Sequence, residues 1–197
     1  MDEEFEKLLI TQVRGQLLIN WTSSLRELLE IPIEDYSRFH RKIFSILIVE
    51  LMNDGLRHIT IQRDICQAKG LQYLCKFFSI LYDGITTFKN VISDDEYIYL
   101  YHLRNCAGHI FPVGYDYVDL EGNIKTQQKT RIQTKVGKQD MSLTELETTL
   151  SRVSLMYGCD DREFIKRIYN LSLEYLLPML RDFDSHQQNR LHYDQSR

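Results

Sequence analysis

The sequence predicts a mainly α-helical fold, a helical bundle with a small β-hairpin insertion. Apolar residues recur at three- and four-residue spacing through most of the chain. Only nine Gly and three Pro occur among 197 residues, too few for a loop-rich all-β or disordered chain. Two S-x-x-E patterns, Ser93 with Glu96 and Ser142 with Glu145, mark helix starts.

The first helix is expected over residues 3–30. Phe5, Leu8, Leu9, Val13, Leu17 and Leu18 set its period, and Trp21, Leu25, Leu28 and Leu29 continue it. Gly15 is a point where it could divide in two. Pro32 marks a boundary, because the residue before proline avoids the helical region. A second helix is expected over 34–53, with Glu34 and Asp35 in its first turn, where carboxylates suit the helix dipole. Phe39, Ile43, Ile46, Leu47, Val49 and Leu51 make it apolar on more than one face, which places it centrally. Asn53-Asp54-Gly55 reads as a turn.

Residues 56–83 read as helix, with Ile59, Ile65, Leu71, Leu74, Phe77, Phe78, Ile80 and Leu81 as core candidates and Gly70 as a weak point. Ser93 then opens the helix SDDEYIYLYHLRNCAGH. Its YIYLYHL segment also alternates like a strand; the capping box and acidic first turn decide for helix. After Pro112 the helical period disappears. Tyr115, Tyr117 and Val118, a turn at Glu121-Gly122-Asn123 and the alternating TRIQTKV predict a β-hairpin or small meander. Ser142 opens a helix to about Met156. Asp160 or Asp161 opens the last, to about Leu180, with Phe164, Ile168, Leu171, Tyr175 and Leu176 inward. The expected organisation is one helical domain over 1–183, with a strand-like insertion at about 113–139, and a polar tail over 184–197.

The formal net charge of −4 and a pI near 5.9 argue against coating nucleic acid by bulk charge, but leave room for a local basic surface. The acidic start MDEEFEKLL lacks the features of a signal peptide. The longest apolar run, IFSILIVELM, contains Glu50 and is too short for a membrane span. Cys66, Cys75, Cys106 and Cys159 form no C-x-x-C pair, so no zinc framework is expected, and reduced thiols in a cytoplasmic protein are the simplest reading. The sequons at Asn20 and Asn170 are then without meaning and should lie on helices. P-loop, H-E-x-x-H and G-x-S-x-G motifs are absent from the sequence. No metal, cofactor or membrane association is expected.

The segment HLRNCAGHIFP, residues 102–112, carries the chemistry. Arg104 is followed by Asn105 and, after four intervening residues, by His109, with Phe111 two residues on. Spacing of this kind arises by chance roughly once in such a chain, and Arg181 with His186 repeats it near the polar tail. The Asn105 neighbour, the helix end and the helical context distinguish the first copy. There the chain resembles the HEPN superfamily, whose signature is an Arg followed by a polar residue and, four to six residues later, a His. The resemblance implies a HEPN-like helical bundle and a homodimer with two motifs facing one cleft. It also implies a metal-independent endoribonuclease, a toxin or antiphage growth-arrest effector leaving 2′,3′-cyclic phosphate and 5′-hydroxyl ends.

The residue types suit that reaction. The substrate's 2′-hydroxyl is the nucleophile, and a group titrating near neutrality must move its proton, which is the property of His109. Negative charge gathers on the phosphorus oxygens, where the planar Arg104 guanidinium supplies paired donors. Asn105 would contact substrate or hold the motif. On a regular helix Arg104 and His109 point about 140° apart. They converge if the helix ends or bends near Gly108, or if a second chain supplies the complement.

Lys125, Lys129, Arg131, Lys135 and Lys138 form a basic stretch that would attract an RNA backbone, or simply a solvated hairpin face. Tyr97, Tyr99, Tyr101 and Tyr115 would stack bases or pack the core. His102 is a second candidate proton carrier or an ordinary helical histidine; His40 and His58 read as structural. Two other functions fit the same residues. One is a non-catalytic RNA- or nucleotide-binding module, and the other an unrelated helical interaction protein. The RNA target and any antitoxin or regulatory partner are not legible.

Overall fold

The structure is a computed structural model, and it describes residues 3–108, 116–118, 121, 124–126, 129–183 and 185. Among these the chain is mainly helical with antiparallel hairpins, the expected class. The helices are α1 (Glu3–Glu30), α2 (Arg38–Glu50), α3 (Leu56–Ala68), α4 (Gln72–Val91), α5 (Asp94–Gly108), α6 (Leu143–Met156) and α7 (Asp161–Tyr175). Strands β1 (Asp116–Val118), β2 (Ile124–Thr126), β3 (Lys129–Thr134) and β4 (Gly137–Ser142) lie between α5 and α6. The chain forms two compact units. One comprises Met1–Tyr36, Glu50–Val91 and Ile168–Arg197; the other comprises Ser37–Val49 and Ile92–Arg167.

In the first unit α1 is continuous through Gly15, because one glycine costs a long helix only about 1 kcal/mol. Leu18, Leu25, Leu28 and Leu29 are buried, whereas Val13 and Leu17, expected inward, are exposed. The side chains of Phe5, Leu8 and Leu9 lie outside the described residues. Beyond α1, the Tyr36 hydroxyl donates to the Leu28 carbonyl at 2.6 Å. The Tyr169 hydroxyl lies 3.1 and 3.0 Å from the carbonyls of Leu29 and Ile31. The Tyr169 phenol serves carbonyls at the helix end, and the Tyr36 phenol adds a second donor to the Leu28 carbonyl, which also accepts from the Ile31 N–H at 3.1 Å.

Asn53-Asp54-Gly55 does not turn the chain. Leu51–Gly55 form a π-helical turn, with Gly55 at φ −57° and ψ −51°. Leu51, Met52 and Gly55 are buried, and that burial overrides the local turn preference. At Gly70 the helix does break. Gly70 has φ +68°, its N–H donates to Gln67 O, and the Leu71 N–H donates to Cys66 O at 2.8 Å, a Schellman cap. α4 then runs to Val91, past the expected end, with Leu81, Ile85 and Phe88 inward; Leu71 and Ile80 are exposed. Phe77 of α4 stacks on Phe183, and Gly84 leaves room for Met179, whose Sδ would clash with a Cβ there. Pro178 lacks the N–H that would continue α7, so the helical path breaks at residue 176 and resumes over 177–183.

In the second unit α2 begins at Arg38, not at residue 34. Glu34 and Asp35 belong to a separate 3₁₀ turn, Ile33–Asp35. Ser37 caps α2: its Oγ accepts from the His40 N–H at 3.3 Å, and its own N–H donates to His40 Nδ1 at 3.1 Å. This is a capping box with imidazole in the place of the carboxylate. Phe44, Leu47, Ile48 and Val49 are buried, while Phe39 is exposed.

Both sequence-read capping boxes are present. Ser93 and Glu96 exchange bonds of 2.8 and 3.2 Å at the start of α5, and Ser142 and Glu145 exchange 2.9 and 3.2 Å at α6. The insertion is a pair of hairpins. β1 pairs with β2, Tyr117 opposite Lys125; β3 pairs with β4, Arg131 opposite Asp140. β4 extends to Ser142, beyond the expected limit of the insertion. Ile132 of β3 packs with Ile98 of α5 and Leu146 of α6, and this small core fixes the second hairpin against the helix that carries the motif.

Candidate functional site

α5 has two halves with different tasks. Residues 96–100 are buried in succession and anchor the helix; residues 101–105 are half-buried and face an accessible surface. The anchor centres on Glu96, only 3% exposed. Its Oε1 accepts from Arg167 Nε at 2.7 Å and from the Tyr157 hydroxyl. Burial raises its pKa, but bonds from Tyr157, from the Ser93 N–H and from Arg167 outweigh burial and bring it from 4.5 down to about 2. Glu96 thus binds α5 to the middle of α7 and the end of α6. Tyr99 adds a hydroxyl donated to Asp161 Oδ1 at 2.6 Å and an edge-on contact with Phe164 at 4.9 Å. Tyr97 and Tyr99 are buried and pack the core; they are no platform for bases.

Arg104 Nη1 donates to Asn105 Oδ1 at 3.0 Å, and the Arg104 guanidinium carbon lies 5.8 Å from the Tyr101 ring centre. The first two members of the motif are therefore held together at the accessible half of the helix. α5 is described to Gly108. His109 and Phe111 lie outside the described residues, as do Pro112, Tyr115, Gly122 and Asn123.

His102 Nε2 lies 3.4 Å from Cys106 Sγ, one helical turn on. Burial lowers the His102 pKa against the pull of Asp161; burial and Asp161 together raise that of Cys106. The pair is therefore a neutral imidazole beside a neutral thiol, which is not an activated nucleophile.

Two adjoining clefts open beside this half of α5. The first, of about 410 Å³, is lined by Arg38, Arg41 and Lys42 of α2, by Leu103, Cys106 and Ala107 of α5, and by Cys159–Arg162. The second, of about 620 Å³, is lined by His102, Ser151 and Ser154 among others. They share Leu103, Cys106, Cys159 and Asp161. Arg104 and Asn105 line neither. The shared wall includes a tight link between α6 and α7, in which Gly158 and Cys159 take φ +63° and +60° and the Cys159 N–H donates to Ser154 O at 2.7 Å. The basic face of α2 was not among the sequence candidates, although its signal, Arg38, Arg41 and Lys42 at helical spacing, is present.

The basic stretch of the insertion is dispersed. Lys125 lies on β2 and Lys129 on β3, their side chains outside the described residues. Arg131 is exposed on β3. Lys135 forms an ion pair with Asp94 at 3.7 Å, so its charge serves the start of α5.

Comparison with family models, with curated proteins and with solved structures finds no match to this chain. Among the described residues no group of three or more His, Cys, Asp or Glu is placed to hold a metal ion. No described helix is long and apolar enough to cross a membrane.

Proposed function

We propose that the chain is a metal-independent endoribonuclease of the HEPN type, a toxin or antiphage growth-arrest effector acting as a cytoplasmic homodimer. The observation that carries the proposal is the R-N-x-x-x-H pattern in the sequence, whose Arg104 and Asn105 lie on the accessible half of α5, the guanidinium bonded to Asn105 at 3.0 Å. His109 would take the 2′-hydroxyl proton or return one to the leaving 5′-oxygen. The 2′-oxygen would bond to phosphorus as the bond to the 5′-oxygen breaks, leaving 2′,3′-cyclic phosphate and 5′-hydroxyl ends. Arg104 would meet the charge that accumulates on the non-bridging oxygens. Asn105, by its bond to Arg104, would orient the guanidinium. A dimer supports the chemistry, because Arg104 and His109 of one regular helix diverge by about 140° and a second chain can supply the complement.

The test is an RNase assay in excess chelator, wild type beside His109→Ala and Arg104→Ala, with end-group analysis. Cleavage by wild type alone, with cyclic phosphate ends, is expected. Equal cleavage by all three proteins refutes the assignment, and RNA retention without cleavage assigns the chain to the binding modules instead.

A further inference from the structure

We propose that the cleft between α2, α5 and the start of α7 grips the RNA backbone next to the scissile phosphate. This rests on the nuclease assignment and deepens it. Arg38, Arg41 and Lys42 project from one face of α2 at i, i+3 and i+4 into a cleft of about 410 Å³. Arg162 and two carboxylates, Asp160 and Asp161, complete its charged lining. Each carboxylate is already engaged. Asp160 holds Arg162 through Nε at 2.9 Å and Nη2 at 2.6 Å, and Asp161 accepts from Tyr99 at 2.6 Å. Arg41 also acts on Asp160, so the positive surplus sits on Arg38 and Lys42 of α2. Arg38 and Lys42 are exposed, and among the described residues no ion pair or hydrogen bond holds their charged ends.

The opposite wall is Leu103, Cys106 and Ala107, the residues that flank Arg104 and Asn105 on α5. Arg104 and Asn105 themselves line neither cleft, so a polyanion in the cleft meets the cations of α2 beside the motif rather than on it. Through the four shared residues the cleft continues into the second one, where His102, Ser151 and Ser154 offer hydrogen-bonding groups. A lone phosphate needs only the first cleft; the continuous path suits a single strand of more than one nucleotide. This arrangement also resolves the contradiction of a nucleic-acid enzyme with a net charge of −4: the positive charge is local.

The experiment measures binding of a fluorescent single-stranded RNA to full-length His109→Ala across a salt series. The same background then carries Arg38→Gln, Arg41→Gln and Lys42→Gln, singly and together. Each lost phosphate contact should flatten the log–log salt dependence by about 0.7, so the triple variant should lose about 2 in slope. Its affinity at low salt should fall at least tenfold, while Arg38→Lys with Arg41→Lys retains binding. Lys69→Gln with Lys76→Gln, two exposed lysines that line neither cleft, is the control and should change little. An unchanged slope in the folded triple or single variants overturns the cleft, whatever the wild type does to RNA. If wild type leaves RNA intact but the slope still falls, the cleft stands and the nuclease assignment fails. A mononucleotide competing as well as the oligomer would also overturn the proposal, because the site would then be one for small anions.

Discussion

Replacing Glu96 by Gln removes the charge at the anchor of α5 while keeping its shape. The carboxyl sits near 2 in the folded chain against an ordinary 4.5. A group depressed in this way adds stability that is fully present above pH 4.5 and is lost as pH falls toward 2. The difference corresponds to about 3 kcal/mol at neutral pH. Stranding a buried charge would raise that cost, but the side chain of Arg167 is 42% exposed and can return to water. Glu96→Gln should therefore lose roughly 2–3 kcal/mol at pH 7, because the bonds accepted from Arg167, Tyr157 and the Ser93 N–H are weakened, or lost where NH2 replaces an oxygen. Urea unfolding from pH 7 down to pH 3 is the assay. Asp160, held near 2 by Arg162, titrates in the same window in both proteins, so the readout is the difference between them. The two profiles should converge as the wild type is acidified. Parallel profiles, with a constant gap or none, would refute the account of Glu96 as the carboxylate that ties α5 to α7.

Gly158→Ala should cost about 1–2 kcal/mol, because φ is +63° while a Cβ there would meet nothing within 4 Å; the penalty is purely one of backbone, and denaturant melts measure it. Tyr169→Phe should cost about 1–2 kcal/mol in the same assay, since it removes the one proton shared between the Leu29 and Ile31 carbonyls; an unchanged midpoint would show that solvent satisfies them.

Local bonds made much of this fold readable. The boxes at Ser93/Glu96 and Ser142/Glu145 close within one turn, so four residues specify each, and the first also decides between helix and strand for YIYLYHL. The start of α2 was hidden because its N-terminal partner is His40 rather than Glu or Gln. Asn53-Asp54-Gly55 misled because the burial of Leu51 and Met52 decides that segment, and burial is a property of the assembled unit. Phe39 and Ile80 misled in the opposite direction, because their helices carry more apolar residues than one face can bury, and Leu71 because it falls in the cap between α3 and α4. Arg104 and Asn105 were legible as a motif. The cleft was not, because α2, α5 and the start of α7 are far apart in sequence. Nor was the neutralisation of Lys135, which depends on Asp94.

The division of α5 into a buried anchor and an accessible end separates a working Arg104 from a structural one. Its contacts include a bond to the adjacent Asn105 and a guanidinium 5.8 Å from the Tyr101 ring. A half-exposed cation–π contact contributes about 0.5–1 kcal/mol, and a bond between neighbours on the same turn about as much. Losing these two contacts in Arg104→Ala should cost less than about 2 kcal/mol of stability, well short of unfolding a domain of ordinary stability. Loss of one transition-state donor, in contrast, lowers turnover by about 10²–10³-fold. A folded Arg104→Ala with cleavage reduced on that scale makes the guanidinium part of the chemistry. Full cleavage with a large stability loss would make it part of the scaffold.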